Sequence, residues 1–242
     1  MRKTMTRLAT SALTGLLLSA PLSTRSSDGL SLYEAAYTTK VIGLSVTLDR
    51  SLTRDGDRYH LSQAGETFLL SLRENSHFTL EGEQIIGEDF VYQLGGVYNR
   101  RHEVQYDPSN NIIRSLKKKE WTEHPWSPMV LDRLSQQEQL RLKLLLADTP
   151  PERISLSIID GPRIKLKHFD LVGTATLDTS VGILNTVQYT LRRDDPSERS
   201  SDAWLAMDHD FLMVRTEHVE DGSKTVIEIQ SASVEGKPVM ER

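Results

Sequence analysis

The chain of 242 residues carries 29 Lys and Arg against 34 Asp and Glu, a net charge of −5, with 38% hydrophobic and 6% aromatic residues and no cysteine. Such a composition is ordinary for a globular chain with a core, and its acidity makes it a poor nucleic-acid binder. The lack of cysteine excludes disulfides, thiolate metal sites, a cysteine nucleophile and a lipid-bearing cysteine.

Arg2, Lys3 and Arg7 precede an apolar run from Leu8 to Leu18 that ends in Ser19-Ala20. This order is that of an export signal, and the run is too short to span a bilayer. Residues 1–27 read as signal peptide and spacer, cut after Ala20 or near Ser26, and residues 28–242 as a single β-rich domain. Cleavage after Ala20 takes three basic and no acidic residues from a chain of net charge −5, leaving −8. The expected location is the bacterial periplasm, with no integral membrane segment after signal removal.

From Leu32 the chain alternates polar and apolar residues, the period of strands with one buried face. Asp55-Gly56-Asp57, Glu81-Gly82-Glu83 and Asp107-Pro108-Ser109-Asn110-Asn111 punctuate it as hairpin turns, because Gly and Asn accept positive φ and Pro presets a negative one. One helix is expected from Pro128 to about Ala147, with Ser127 as its cap and Leu131, Leu134, Leu140, Leu144 and Leu145 on its apolar stripe. Asp148-Thr149-Pro150-Pro151 then stops it.

Hairpins resume at Arg153 and run to Val234, interrupted by a polar stretch from Arg193 to Asp202 that reads as a solvated loop. The predicted fold class is mostly β: a large curved antiparallel sheet or partly open β-barrel with one packed α-helix.

Within this second half, Gly182-Ile183-Leu184-Asn185-Thr186-Val187, Trp204-Leu205-Ala206-Met207-Asp208, Leu212-Met213-Val214-Arg215 and Asp221-Gly222 resemble the C-terminal half of domain of unknown function 3108, DUF3108. Tyr33, Tyr37 and Tyr106-Asp107 resemble its N-terminal half, so the likeness runs from Tyr33 to Val234. Met213 stands where the family often has proline, and Gly43 lacks the second glycine that usually follows. The resemblance implies an exported bacterial protein of antiparallel strands. The family has no established catalytic residues, so it implies no site.

Candidate chemistry is sparse. Asp208, His209 and Asp210 are of metal-ligating and acid/base type, but consecutive strand residues point to opposite faces, and a polar turn explains them. His102 beside Glu103 and His218 between Glu217 and Glu220 pair imidazole with carboxylate, as solvated strand pairs commonly do. Lys117, Lys118 and Lys119 next to Trp121 and Trp126 form the candidate ligand site, since a basic run beside indoles suits an anionic glycan or a lipid headgroup. Its plainer explanation is a charged strand edge. No nucleophile elbow, zinc-protease helix or glycine-rich phosphate loop occurs, and no cofactor is expected.

The expected function is therefore non-enzymatic binding or cell-envelope maintenance, with a lipid or other amphiphile held between sheet and helix, or envelope proteins as partners. The alternatives are an envelope hydrolase using carboxylate and His residues, or a protein-interaction scaffold.

Overall fold

The computed structural model describes residues 29–41, 43–97, 99–192 and 199–240. The export signal expected at residues 1–27 lies outside them. Eight strands form the first half: β1 (Tyr33–Val41), β2 (Leu44–Asp55), β3 (Arg58–Glu66), β4 (Leu70–Glu81), β5 (Gln84–Gly96), β6 (Arg100–Asp107), β7 (Ile112–Lys117) and β8 (Glu120–Pro125). The short β9 (Val130–Leu131) and the helix α1 (Ser135–Leu146) follow. The second half holds β10 (Arg153–Asp160), β11 (Arg163–Thr179), β12 (Gly182–Leu191), β13 (Arg199–Ala206), β14 (Leu212–Glu220), β15 (Ser223–Val234) and β16 (Lys237–Pro238).

All sixteen strands belong to one sheet. Its order runs from β8 back to β1, across to β15, and from β15 back to β9, with β16 on β15. Two meanders thus join where β1 pairs antiparallel with β15, Tyr33 opposite Val234. Every ladder is antiparallel except β9 with β10, so the sheet is mixed.

The sheet curls until its two ends approach. Lys117 of β7 forms an ion pair with Asp160, and His124 of β8 lies 3.2 Å from the Gly161 carbonyl. Gly161 has φ +60 and its missing Cβ would stand 2.6 Å from the Lys117 side chain, so only glycine allows this approach. No backbone ladder joins the two ends among the described residues, and the barrel stays open at this seam.

The helix begins seven residues later than its sequence suggests. Ser127 accepts the Met129 amide at its hydroxyl and the Val130 amide at its carbonyl, in a local turn, while Val130 and Leu131 pair with Ser157 and Ile158 as strand. The effective cap is Asp132. Its carboxylate accepts the amides of Leu134 and Ser135 at 2.7 and 2.8 Å, and its carbonyl accepts the Gln136 amide. Asp132 also takes the hydroxyls of Ser135 and of Ser76 on β4, which ties the helix start to the first meander. Ala147 is extended and ends the helix ahead of the proline pair.

The helix is buried on nearly all sides. Leu140, Leu142 and Leu144 join the core with Leu52, Leu61, Phe78, Ile85, Tyr189 and Val214 of the sheet. Yet Ser135, Glu138, Gln139 and Arg141 are equally buried, and their burial is tolerable only with partners. Glu138 supplies them. Its carboxylate takes Arg50 Nη2 and Arg141 Nη1, each at 3.2 Å, and the Tyr33 hydroxyl at 2.7 Å. Arg50 donates further to Tyr33 and Gln137, and Arg141 to the carbonyls of Ser31 and Asp210. Gln139 closes the far side by accepting the Ile85 amide and donating to the Glu83 carbonyl. Burial pushes the Tyr33 hydroxyl well above the ordinary phenol range, so it remains a donor to Glu138.

Removing one member of a buried ion pair strands the other, at a typical cost of about 3–5 kcal/mol. Glu138→Gln is therefore expected to lower unfolding stability by about 3 kcal/mol or more. In urea denaturation, Arg50→Met combined with Glu138→Leu should cost less than the sum of the two single changes. Strict additivity would show that the two groups are not coupled.

Candidate functional site

Because neighbouring strands alternate in direction, one rim of the sheet collects the end of β7, the starts of β6 and β11 and the ends of β10, β12 and β14. A cleft of about 710 Å³ opens there between the helix and the sheet. The helix side contributes Arg133, Gln136 and Gln137. The first meander contributes Phe90, His102, Val104, Ser115 and Lys117, and the second Ile158, Asp160, Lys165, Lys167, His218 and Glu220. A lobe of about 340 Å³ continues it past Leu140 and Tyr189 to Ser201 and Thr216, sharing Arg133, Gln136, Gln137, Lys167, Leu191 and His218.

Charges converge on this volume from three sides. Arg133 Nε lies 3.0 Å from the buried Glu74 and stacks over the Tyr92 ring. Lys117 is paired with Asp160. Burial raises the Asp160 carboxyl, but the Lys117 hydrogen bond and charge outweigh it and hold the group below its ordinary value. Glu103 and Glu220 line the cleft as well, Glu103 paired with Arg101 and Glu220 with Arg199 and His218. The field inside is accordingly positive at His102: burial lowers its pKa first, and Lys117 and Arg133 lower it further against the opposing charge of Asp160.

Ser201 and His218 are cross-strand partners on β13 and β14, with Oγ 2.7 Å from Nδ1, and His218 Nε2 lies 3.5 Å from Glu220. This is the residue order of a nucleophile, base and orienting carboxylate. The same contact recurs at Ser155 and His168, also direct partners, on β10 and β11 at 2.7 Å. Register alone thus produces Ser–His contacts in this sheet.

Asp208, His209 and Asp210 form the single-turn 3-10 helix and its left-handed cap between β13 and β14. They do not share a centre. Asp208 accepts from Asn185, while Asp210 accepts from Ser31 through its side chain and from Arg141 through its carbonyl. Among the described residues no group of His, Cys, Asp and Glu could hold a metal ion.

The basic and aromatic candidates are divided as well. Lys118 and Lys119 form the β7–β8 turn with positive φ, and Lys117 pairs with Glu120 while Leu116 pairs with Trp121. Lys117 therefore points inward to the cleft and Trp121 to the opposite face. Trp126 lies past the far end of β8, packed against the core, its amide held by the Asn111 carbonyl.

Lys165, Lys167, Arg133 and Ser201 escape sequence reasoning because nothing local marks them. Ser201 lies in the stretch expected as loop, where β13 in fact begins at Arg199.

Comparison with curated proteins finds no match. Among solved structures, a β-barrel-like protein of domain of unknown function DUF1849 from Brucella abortus superposes with a TM-score of 0.54 at 9% identity, covering 85% of this chain and 98% of that one. This likeness concerns the fold alone. A candidate lipoprotein from Parabacteroides distasonis has a TM-score of 0.33 at 8% identity, with coverage of 84% and 95%.

The field in the cleft is directly measurable. By proton NMR, the His102 imidazole should titrate below its ordinary value; Lys117→Met should move it up and Asp160→Asn further down. A His102 titration indifferent to Lys117→Met would remove the charge argument.

The family model for proteins of unknown function DUF3108 matches residues 32–229, most of the chain, in line with the resemblance in its sequence motifs: this protein belongs to the DUF3108 family.

Proposed function

We propose that the protein is an exported, non-enzymatic binding protein of the bacterial cell envelope that takes the anionic polar part of an amphiphile into the cleft between helix and sheet. The observation carrying this reading is the convergence of Lys117, Arg133, Lys165, Lys167 and His218 on one volume of about 710 Å³. A concave site with a few convergent polar groups is the usual form of a small-ligand pocket.

The apolar space under the helix is filled by Leu140, Leu142 and Leu144, so the open volume favours a headgroup over an acyl chain. Export is supported by the basic and then apolar order of residues 2–18. Among the described residues no helix is long and apolar enough to cross a membrane.

The test is isothermal titration of the full chain with dihexanoyl phosphatidylglycerol below its micelle concentration, beside native mass spectrometry of protein purified from the periplasm. Binding of the anionic probe, weakened at least tenfold by Lys165→Glu with Lys167→Glu, is the expected result. Equal affinity for the phosphatidylcholine analogue, or no binding of either together with a clean apo mass, would refute the reading.

The Ser201–His218–Glu220 row favours a second reading, an envelope hydrolase acting through Ser201. It requires turnover of acyl esters by the purified chain that Ser201→Ala abolishes. The recurrence of the contact at Ser155 and His168 makes binding the better-supported function.

A further inference from the structure

The turns β1–β2, β3–β4, β5–β6 and β7–β8 lie on the rim where the cleft opens, because alternate hairpins of a meander share an edge. Two features of this arc of rim stand together.

It exposes large apolar side chains at the tips of turns. Phe68 is 85% exposed, Val97 67% and Leu69 37%, and the two turns that carry them are joined by the Val97 amide to the Leu69 carbonyl at 3.1 Å. Gly96 makes the junction possible: with φ +98, its missing Cβ would fall 2.0 Å from the Leu69 oxygen. The junction thus holds the two turns that expose Phe68 and Val97 together. Further along, Trp121 is 48% exposed beside the Lys118–Lys119 turn.

The arc is also basic on an acidic protein. Lys40, Arg100, Arg101, Lys118 and Lys119 stand within three residues of these turns, against the exposed acids Glu66 and Glu120. The opposite rim of the same meander reverses the sign. Its turns carry Asp55, Asp57, Glu81, Glu83 and Asp107, with Arg54, Arg58 and Arg114 among them, and no large exposed apolar side chain.

Apolar tips ringed by Lys and Arg are the surface that an anionic bilayer attracts: long-range charge brings the rim to the headgroups, and the apolar side chains then enter the interface. The acidic rim orients the molecule by repulsion. We infer that the Phe68, Leu69 and Val97 tips and the Lys118–Lys119 turn dock this rim on an anionic lipid surface, which sets the mouth of the cleft against the bilayer. This rests on, and adds a partner to, the reading of the cleft as a headgroup site.

Co-sedimentation of the full chain with vesicles tests it, comparing phosphatidylglycerol with phosphatidylethanolamine at equal parts against phosphatidylcholine alone. The expected result is at least tenfold stronger binding to the anionic vesicles, weakened as salt is raised. Phe68→Ser with Val97→Ser, and Lys118→Glu with Lys119→Glu, should each lose most of it, with unchanged circular dichroism since all four side chains are exposed. Asp57→Lys on the opposite rim should not weaken it.

Binding that ignores lipid charge, or survives both rim variants, overturns the inference. So does failure to bind vesicles while the chain self-associates through Phe68, which would assign the rim to a second copy. Lys165→Glu with Lys167→Glu separates the two readings: if the cleft reading alone fails, the rim variants still lose vesicle binding, and if docking alone fails, short-chain phosphatidylglycerol still binds the cleft.

Discussion

The carboxylate of Glu138 is the point on which the architecture turns. It sits at the centre of a curled sheet, on a helix with almost no exposed face, and meets Arg50 of β2, Arg141 of its own helix and the Tyr33 hydroxyl of β1. An apolar helix in that position could rotate or slide with little penalty. A helix whose charged groups each have one place to go cannot, and breaking such a buried pair is costly. The network therefore fixes the register of the helix against the sheet. That register in turn places Arg133, Gln136 and Gln137 on the wall of the cleft.

The two meanders depend on the same plug. They share one ladder, at β1 and β15, and among the described residues meet at the seam through the Lys117–Asp160 pair and the contact of His124 with the Gly161 carbonyl. Asp132 anchors the start of the helix to β4, Gln139 anchors its middle to β5, and Arg141 reaches the turn after β13. The helix thus bridges the halves across the interior, and the cleft is the space it leaves unfilled at one rim. Polar groups do this better than leucine contacts alone because hydrogen bonds specify direction.

Much of the strand pattern was legible in the sequence, because period-two alternation and turns such as Asp55-Gly56-Asp57 report on local physics. The helix start was not. Ser127-Pro128 is a good local cap signal, but Asp132 wins because Ser76, fifty-six residues away, adds a bond that no local pattern contains. The helix also shows why its stripe was misleading: Glu138 and Arg141 resemble a solvated face, yet they are buried against Arg50 and Tyr33. The cleft was legible at Lys117, where a basic run stood out, and at His102 and His218, which stand beside carboxylates in the sequence. Lys165 and Lys167 become a site through strand order, and single lysines on alternating strands carry no mark of that. Trp121 and Trp126, adjacent to the basic run in sequence, are set at opposite ends of β8 by the geometry of a hairpin.

The central claim is that the helix holds open a cationic cleft which receives an anionic headgroup. Its most direct test is the amide and side-chain NMR spectrum of the labelled protein during titration with glycerol 1-phosphate. The account predicts saturable shifts concentrated at Lys165, Lys167, His218 and Gln136, with the Glu138 network unmoved. Shifts confined to the outer face of the sheet, or no saturable shifts at all, would contradict it.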